Sequence, residues 1–198
     1  MILRCATGNP GKLAEFRMAA AALGCEWADI RPLENLSALP PCEEDGADFE
    51  ENAVKKALHY SAYCEDFLFA DDSGLEVDSL GGAPGVRSAR YSPEGTDEAN
   101  NRLLLERLAG SRDRRARFVC VIALARQGGL VAVFRGSVEG VILDAPRGGR
   151  GFGYDPLFYY EPLGLTFAEL DADTKMRVSH RGEALRKLFG YCARLPRG

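Results

Sequence analysis

The sequence lacks a long apolar segment and has no excess of positive charge. No uninterrupted apolar run approaches the ~20 residues that a membrane-spanning helix needs, so we expect no membrane association. The formal net charge is −4, whereas proteins that coat nucleic acids are usually basic. We therefore expect no nucleic-acid partner. A small anionic substrate is still allowed, because a site can be locally positive within an acidic protein.

Closely spaced cysteines and a secretion signal are also missing. The cysteines lie at positions 5, 25, 42, 64, 120 and 192, so no two have the spacing of a metal or redox motif. The first residues, MILRCATGN, lack the basic flank and the long apolar region of a signal peptide. These absences predict free thiols and a cytoplasmic location.

What the sequence does contain predicts a folded α/β protein. Of its 198 residues, 46% are hydrophobic and 27% are charged, which is typical of a chain with a buried core. The length predicts one large domain over residues 1–198, built as a single unit or as two tightly joined lobes. Helix and strand patterns mix without strict alternation, so we expect a mixed sheet.

Apolar runs and capping residues predict the individual elements. Asp48 is the expected N-cap of a helix, and Glu51 completes a capping-box pattern. Ser179 is the expected cap of the last helix, and Gly128–Gly129 predicts the turn of a long hairpin. The predicted strands cover 1–7, 26–30, 66–71, 115–125 and 129–143, and the predicted helices cover 11–23, 49–64, 96–110 and 179–195.

The segment TGNPGK connects the first strand to the first helix and is a candidate phosphate site. A helix N-terminus offers unpaired N–H groups and a positive dipole end, and Lys12 adds a point charge. Ala6 and Leu13 exclude a Walker A loop, which requires glycine and Ser or Thr at these positions. An ordinary turn with a surface lysine is the alternative. The candidate residues are Thr7, Gly8, Asn9, Pro10, Gly11 and Lys12.

Two acidic pairs are candidates for metal binding or proton transfer. Asp71–Asp72 follows the apolar run FLFA, and Glu43–Glu44 lies upstream. Successive strand residues point to opposite faces, so we expect only one aspartate in a given cleft and the other holding a loop. Oxygen ligands from separate loops suit Mg²⁺ that is also bound by phosphates. The alternative is a strand end capped by polar residues.

Two further segments, GFGYDP and KMRVSHRG, carry groups that suit a nucleoside. Phe152 is flanked by glycines and is able to stack on a base, although core packing of Phe152 and Tyr154 is the simpler interpretation. Lys175, His180 and Arg181 offer hydrogen-bond donors at the start of the last helix. The helix dipole disfavours a protonated histidine there, which favours recognition over acid–base chemistry.

The remaining arginines are less informative. Arg87 and Arg90 are expected to brace the acidic loop or a subunit contact, and the alternative is that they reach phosphate. Residues 111–117, SRDRRAR, are expected to form a solvated turn. Arg147 and Arg150 precede GFGYDP, and their effect on a substrate opening is not predicted.

Five collinear motifs resemble the inosine triphosphate pyrophosphatase family, the HAM-one-like group of non-canonical purine nucleoside triphosphate pyrophosphatases. The motifs are ATGNPGK, EEDGADFEENA, ADDSGLEVDSLGGAPGVRSARYS, GFGYDP and SHRGEAL, and they span nearly the whole chain. The resemblance implies a two-lobed α/β fold with a long central mixed sheet, and a homodimer. It also implies Mg²⁺-assisted hydrolysis of ITP, dITP and XTP to the monophosphate and pyrophosphate.

The resemblance also implies roles for the candidate residues. Asp72 is expected to be the proton acceptor and a metal ligand, and either Glu43 or Glu44 is expected to support the metal. Ser73 is expected to touch the substrate, and residues 7–12 are expected to hold the triphosphate. The nucleoside end is expected to consist of Phe152, Gly153, Tyr154, Asp155, Lys175, His180 and Arg181.

Two other functions stay open at this point. One is a Maf-like pyrophosphatase acting on pyrimidine or modified nucleotides, for which an arginine-rich opening motif is expected in place of TGNPGK. The other is a nucleotide-binding regulator without turnover, which has no need for Asp72 and its acidic partners.

Overall fold

A single mixed sheet runs through the protein. The structure is a computed structural model and describes residues 1–195. The strands of this part of the chain are β1 (Ile2–Cys5), β2 (Asp29–Pro32), β3 (Phe67–Val77), β4 (Arg115–Arg126), β5 (Gly129–Ile142), β6 (Phe158–Tyr160) and β7 (Leu165–Thr166). The α-helices are α1 (Pro10–Ala22), α2 (Phe49–Ser61), α3 (Asp97–Arg107), α4 (Ala172–Val178) and α5 (His180–Cys192).

The sheet has the order β2-β1-β3-β4-β5-β6-β7. The β2, β1 and β3 strands are mutually parallel, and the remaining neighbours are antiparallel. This arrangement confirms the predicted mixed sheet flanked by helices. The β4–β5 hairpin is also confirmed. Its turn lies one residue earlier than predicted, at Gln127 and Gly128, whose φ values are +51° and +78°, and Gly129 already begins β5.

Helices cover both faces of the sheet. On one face, α1 and α5 pack on Phe69 and Ile122. On the other face, α2 places Ala53 and Ala57 against Ala70. Neighbouring residues of β3 therefore enter different cores, as the alternation of a strand requires.

The capping predictions agree with the structure in all but one detail. Asp48 accepts a hydrogen bond from the Glu51 N–H at 2.8 Å, and Ser179 accepts one from the Gly182 N–H at 3.1 Å. The Glu51 side chain, however, accepts from the Ala47 N–H at 2.8 Å rather than from the N–H of Asp48. Of the predicted stripe of the last helix, Leu185, Leu188 and Cys192 are buried and Leu195 is half-buried.

Several boundaries differ from the predicted ones. The third strand was expected to end at Asp71 but continues to Val77, because β4 pairs with it along its whole length. The second strand begins at Asp29 rather than at position 26, and α2 ends at Ser61 rather than at 64. The β6, β7 and α4 elements were not predicted, since their segments are short and lack a clear period.

The predicted turn at 111–117 is partly strand, because β4 begins at Arg115. Its arginines bind protein groups: Arg117 pairs with Asp78 at 2.6 Å, and Arg114 donates to the carbonyl of Ile142 at 2.8 Å. All six cysteines are free thiols, four of them buried. No helix in residues 1–195 is both long enough and apolar enough to cross a membrane.

Candidate active site

A cavity of about 550 Å³ opens where β1 ends beside β3. The β1 strand pairs with β3 only as far as Cys5 and Phe69, while β3 continues for eight more residues. The sheet edge at Asp71 and Asp72 is therefore open. The walls of the cavity include parts of segments 6–12, 71–74, 86–97, 152–155 and 175–181, together with Glu44, Lys56 and Tyr60.

The two adjacent aspartates lie in the middle of a strand, which corrects the predicted strand end. Asp71 pairs with Ile122 and Asp72 with Val121 in β4. Their side chains have partners on opposite faces, as expected. The expectation that only one of them reaches a cleft is wrong, since both line the same cavity. The open edge lets the cavity reach both faces.

Asp71 is the counter-ion of two cations. Its Oδ2 lies 2.8 Å from Lys12 Nζ and 3.8 Å from Arg181 Nε, and the residue is only 3% exposed. Burial alone would raise the pKa of the Asp71 carboxyl, but the charges of Lys12, Arg181 and Lys56 outweigh burial and hold the pKa well below its usual range. Asp71 is therefore permanently ionised near neutral pH.

Asp72 has the opposite environment. Its Oδ2 accepts a hydrogen bond from Asn52 Nδ2 at 3.1 Å, and its Oδ1 lies 3.7 Å from Lys56 Nζ. Burial raises the pKa of Asp72 above its ordinary value, and Lys56 and Asn52 offset this effect only in part. Of the two aspartates, Asp72 is therefore the better proton acceptor.

The acidic loop reaches the cavity through Glu44. Glu44 Oε2 lies 2.8 Å from Lys56 Nζ, so Lys56 stands between the carboxylates of Glu44 and Asp72. Glu43 is exposed and is not part of the cavity wall. Arg90 donates to the Glu44 carbonyl at 3.2 Å, which confirms that it braces the acidic loop.

The carboxylates of Asp72 and Glu44 suit a divalent cation that substrate phosphates would also bind. Residues 1–195 contain no group of three or more His, Cys, Asp or Glu side chains arranged to hold a metal. Asp72 and Glu44 supply two carboxylates that converge on one ammonium group. Mg²⁺ is commonly bound by one or two carboxylates and completes its shell with substrate phosphates and water.

The first helix begins differently from the prediction. Asn9 is its N-cap, and its Oδ1 accepts hydrogen bonds from the Gly11 N–H at 2.8 Å and the Lys12 N–H at 3.2 Å. These N–H groups, expected to be unpaired, already have a partner. Of the six candidate residues, Thr7, Gly8, Asn9 and Lys12 line the cavity, whereas Pro10 and Gly11 do not.

The other end of the cavity is built around Phe152. Lys175 Nζ lies 4.8 Å from the centre of its ring and Arg181 Cζ lies 5.7 Å away. Both cations are anchored: Lys175 binds Asp155 at 2.6 Å, and Arg181 binds Glu15 and donates to Ser73 Oγ at 2.8 Å. An aromatic face bordered by fixed donors suits a planar base.

His180 and Tyr154 are packed against other protein groups, as residues with a structural role are. The His180 ring stacks on Phe118, with ring centres 4.8 Å apart. Burial, followed by the charges of Arg181 and Lys175, holds the pKa of His180 well below its usual range, so the ring is neutral. Its Nδ1 is buried and has no hydrogen-bond partner among residues 1–195. Tyr154 is buried and donates to the Ser88 carbonyl at 2.8 Å, in agreement with core packing.

Four residues of the site were missed from the sequence. They are Glu15, Asn52, Lys56 and Asp97, and each is a polar residue of a helix, where such residues are ordinarily solvated. Asn52 carried a usable signal, because it falls one position before Ala53 on the buried side of α2. The others carried none, since their positions depend on contacts between distant segments.

Arg147 and Arg150 lie beside this end of the site. Arg147 binds Glu169 at 3.0 Å. Arg150 lines a smaller cavity of about 130 Å³ together with Glu15 and Lys175. Neither arginine lines the larger cavity.

Comparison with known proteins agrees with the residue pattern. Residues 3–191 match the model of the Ham1 family. A dITP/XTP pyrophosphatase from an Exiguobacterium species is 51% identical over 189 residues, which is 95% of each chain. A HAM1 protein from Coxiella burnetii is 38% identical with a TM-score of 0.87, covering 98% of this chain and 100% of that one. The Staphylococcus aureus Ham1 protein is 38% identical with a TM-score of 0.85, covering 98% of each.

Proposed function

The chain belongs to the Ham1 family, and from that premise we propose that it hydrolyses dITP, ITP and XTP to the monophosphate and pyrophosphate. Its relatives include several dITP/XTP pyrophosphatases, which supports this substrate class. The observation that carries the proposal is one cavity in which Asp72, whose pKa is raised by burial, lies near Lys12 and Lys56 at one end and Phe152 lies at the other.

The cations of the cavity would receive the triphosphate. Lys12 and Lys56 project from α1 and α2 toward the open edge of β3, where they are partnered by Asp71 and Glu44. Burial lowers the pKa of Lys56, but the charges of Asp71 and Asp72 outweigh it, so the ammonium group is charged. Positioning and neutralisation of phosphate charge supply most of the rate in phosphoryl chemistry.

Asp72 would accept the proton of the attacking water. The oxygen of that water forms a bond to the α-phosphorus, the bond to the bridging oxygen breaks, and pyrophosphate leaves. Asn52 holds Asp72 Oδ2, which leaves Oδ1 facing Lys56 and the cavity. A carboxylate with a raised pKa is a more effective base at neutral pH than an ordinary one.

We propose Mg²⁺ as the cofactor, held by Asp72 and Glu44. When bound, such an ion neutralises phosphate charge and lowers the pKa of water. Glu44 is preferred over Glu43 because only Glu44 lines the cavity.

Selectivity would come from donors near the six-position of the base. Hypoxanthine and xanthine present a carbonyl there, whereas adenine presents an amino group. Arg181 and Lys175 offer donors beside Phe152. Both cations are already paired with carboxylates, so a base carbonyl would add a hydrogen bond to them, whereas the amino group of adenine offers no acceptor. Guanine shares the carbonyl, so this argument does not reject it.

The test is pyrophosphate release across dITP, XTP, dGTP, dATP, dTTP and UTP, with and without Mg²⁺, repeated on Asp72→Asn. We expect turnover of dITP and XTP that requires the metal and falls by orders of magnitude in the variant. Preference for dTTP or UTP would favour a Maf-like enzyme. Tight dITP binding without pyrophosphate release would favour a regulator.

We also propose that residues 1–198 form one domain of two lobes, that the protein is a homodimer and that it is cytoplasmic. The family resemblance supports the lobes and the dimer, and the free thiols support a reducing compartment. Light scattering coupled to size-exclusion chromatography would test the dimer.

A further inference from the structure

Two side chains of α3 hold the backbone beside Phe152. Asp97 Oδ2 accepts a hydrogen bond from the Gly153 N–H at 2.6 Å. Asn101 Nδ2 donates to the Gly153 carbonyl at 2.9 Å. Asp97 and Asn101 are four residues apart and therefore lie on the same side of the helix. Both polar backbone groups of Gly153 are thus bound by one helix.

These contacts fix the backbone of Phe152. Its own N–H donates to Asp155 Oδ2 at 3.0 Å, which holds the peptide plane before its Cα. The Asp97 contact holds the peptide plane after its Cα. Because peptide units are planar, two fixed planes set both backbone dihedrals of the residue between them. The direction in which the ring leaves the backbone is therefore set as well.

The segment needs such support because glycines flank the ring. Gly151 and Gly153 have φ values of +75° and +62°, and glycine permits many other conformations at little steric cost. The ring itself is only half-buried, so core packing does not hold it alone.

The helix that supplies the contacts is well anchored. Asn100 accepts from the Ser92 N–H at 2.7 Å and donates to the Ala89 carbonyl at 3.2 Å. Leu104 on the same helix is fully buried. The α3 helix therefore offers a rigid base for the segment that carries Phe152.

We propose that Asp97 and Asn101 are positioning residues that hold Gly153 and thereby keep the Phe152 ring in place for stacking on the nucleobase. The proposal rests on the proposed function in one respect, namely that the substrate carries a base that meets Phe152. Among residues 1–195, neither residue is hydrogen-bonded or ion-paired to Asp72, Lys12 or Lys56. Asp97 lines the same cavity, whereas Asn101 is uncharged, so Asn101→Ala leaves the charge at the phosphate end unchanged.

The experiment measures two quantities in Asp97→Ala, Asn101→Ala and the wild type. They are the KM for dITP and the inhibition constant of inorganic tripolyphosphate, used as a competitive inhibitor. Base–aromatic stacking controls affinity for the base, so we expect KM for dITP to rise about fivefold to tenfold. The turnover number and the inhibition constant of tripolyphosphate stay near the wild-type values. Asp97→Asn keeps an acceptor oxygen and restores KM. Glu98→Ala, which removes an exposed acid from the same turn, is the matched control.

A double-mutant comparison separates positioning from general damage. In a Phe152→Ala background, Asn101→Ala has no further effect on KM if it acts through the ring. Equal losses of dITP and tripolyphosphate affinity, or additive effects with Phe152→Ala, would overturn the proposal. Calorimetric binding of dITP in an Asp72→Asn background repeats the test without turnover. Failure of the proposed function, which wild-type turnover reports, is thereby distinguishable from failure of the positioning role.

Discussion

At the scale of single residues, the pKa values of the two neighbouring aspartates are shifted in opposite directions. Asp71 faces Lys12 and Arg181 and stays ionised, whereas burial of Asp72 favours its protonated form. Asp71, the counter-ion of Lys12, is thus the direct neighbour in the strand of Asp72, the proposed base. The difference arises because adjacent strand residues face different helices.

Substitution of the two aspartates should therefore separate stability from activity. Asp71→Asn leaves Lys12 without its counter-charge and leaves Arg181 with Glu15 alone, and breaking a buried ion pair costs about 3–5 kcal/mol. Asp72→Asn should change the free energy of unfolding little, because the protein already disfavours the charged form, yet it should abolish most turnover. Urea unfolding at neutral pH and dITP hydrolysis measure the two effects. The opposite ranking of stabilities would contradict this assignment.

The pH dependence of stability provides the control. The folded protein depresses the pKa of Asp71, so its ionised form adds stability above the ordinary value of about 3.9. That stability is lost as the pH falls below this value toward the folded pKa. The gap between wild type and Asp71→Asn should narrow on acidification from pH 5 to pH 3. A gap that stays constant would show that Asp71 acts through packing alone.

The sequence predicted some site residues and missed others for a physical reason. Lys12 and Phe152 belong to local patterns, a strand-to-helix turn and a glycine-flanked ring, that carry their meaning within a few residues. Lys56 and Glu15 acquire their positions from partners distant in sequence, at Asp72 and Arg181. No local periodicity encodes such contacts, so a family resemblance or a structure is needed.

At the scale of elements, α5 reaches the site because β5 has a glycine beneath it. A Cβ at Gly136 would overlap the carbonyl oxygen of His180 and lie 2.7 Å from the Ala184 nitrogen. The absence of a side chain lets the first turn of α5, with His180 and Arg181, lie directly on the sheet. Helix caps were predictable from Asp48 and Ser179, but this close approach was not, since Gly136 resembles any glycine in a strand.

Gly136→Ala should therefore push the start of α5 away from the sheet. Overpacking of this kind costs about 1–3 kcal/mol, and displacement of Arg181 should raise KM for dITP. Gly190→Ala, a substitution on α5 itself, is the control, because a Cβ there meets no atom within 4 Å. It should stabilise the protein by about 0.5–1 kcal/mol. Thermal unfolding and steady-state kinetics of both variants test the pair, and equal behaviour would exclude the packing argument.

At the scale of the whole molecule, the site balances its own charge. Distant segments bring carboxylates and cations together in pairs. Each carboxylate of the cavity wall has a cationic partner except Asp97, which binds the Gly153 N–H. The pairs are Lys12 with Asp71, Lys56 with Glu44 and Asp72, Lys175 with Asp155 and Glu15, and Arg181 with Glu15. The carboxylates therefore do not need a metal ion to be compatible with the fold.

Chelation should consequently abolish activity without unfolding the protein. In EDTA we expect the thermal midpoint of the wild type to stay unchanged while dITP hydrolysis stops, because Asp72 and Glu44 would hold the proposed Mg²⁺ for the reaction and already have Lys56 as a partner in the fold. In an Asp72→Asn background, dITP at about 100 times its Kd should add about 2.7 kcal/mol of stability. Equimolar dATP should add less, since Arg181 and Lys175 lack an acceptor on adenine. A midpoint that falls in EDTA without nucleotide would show instead that a metal supports the fold, and the assignment of Asp72 and Glu44 as a substrate-linked pair would then be wrong.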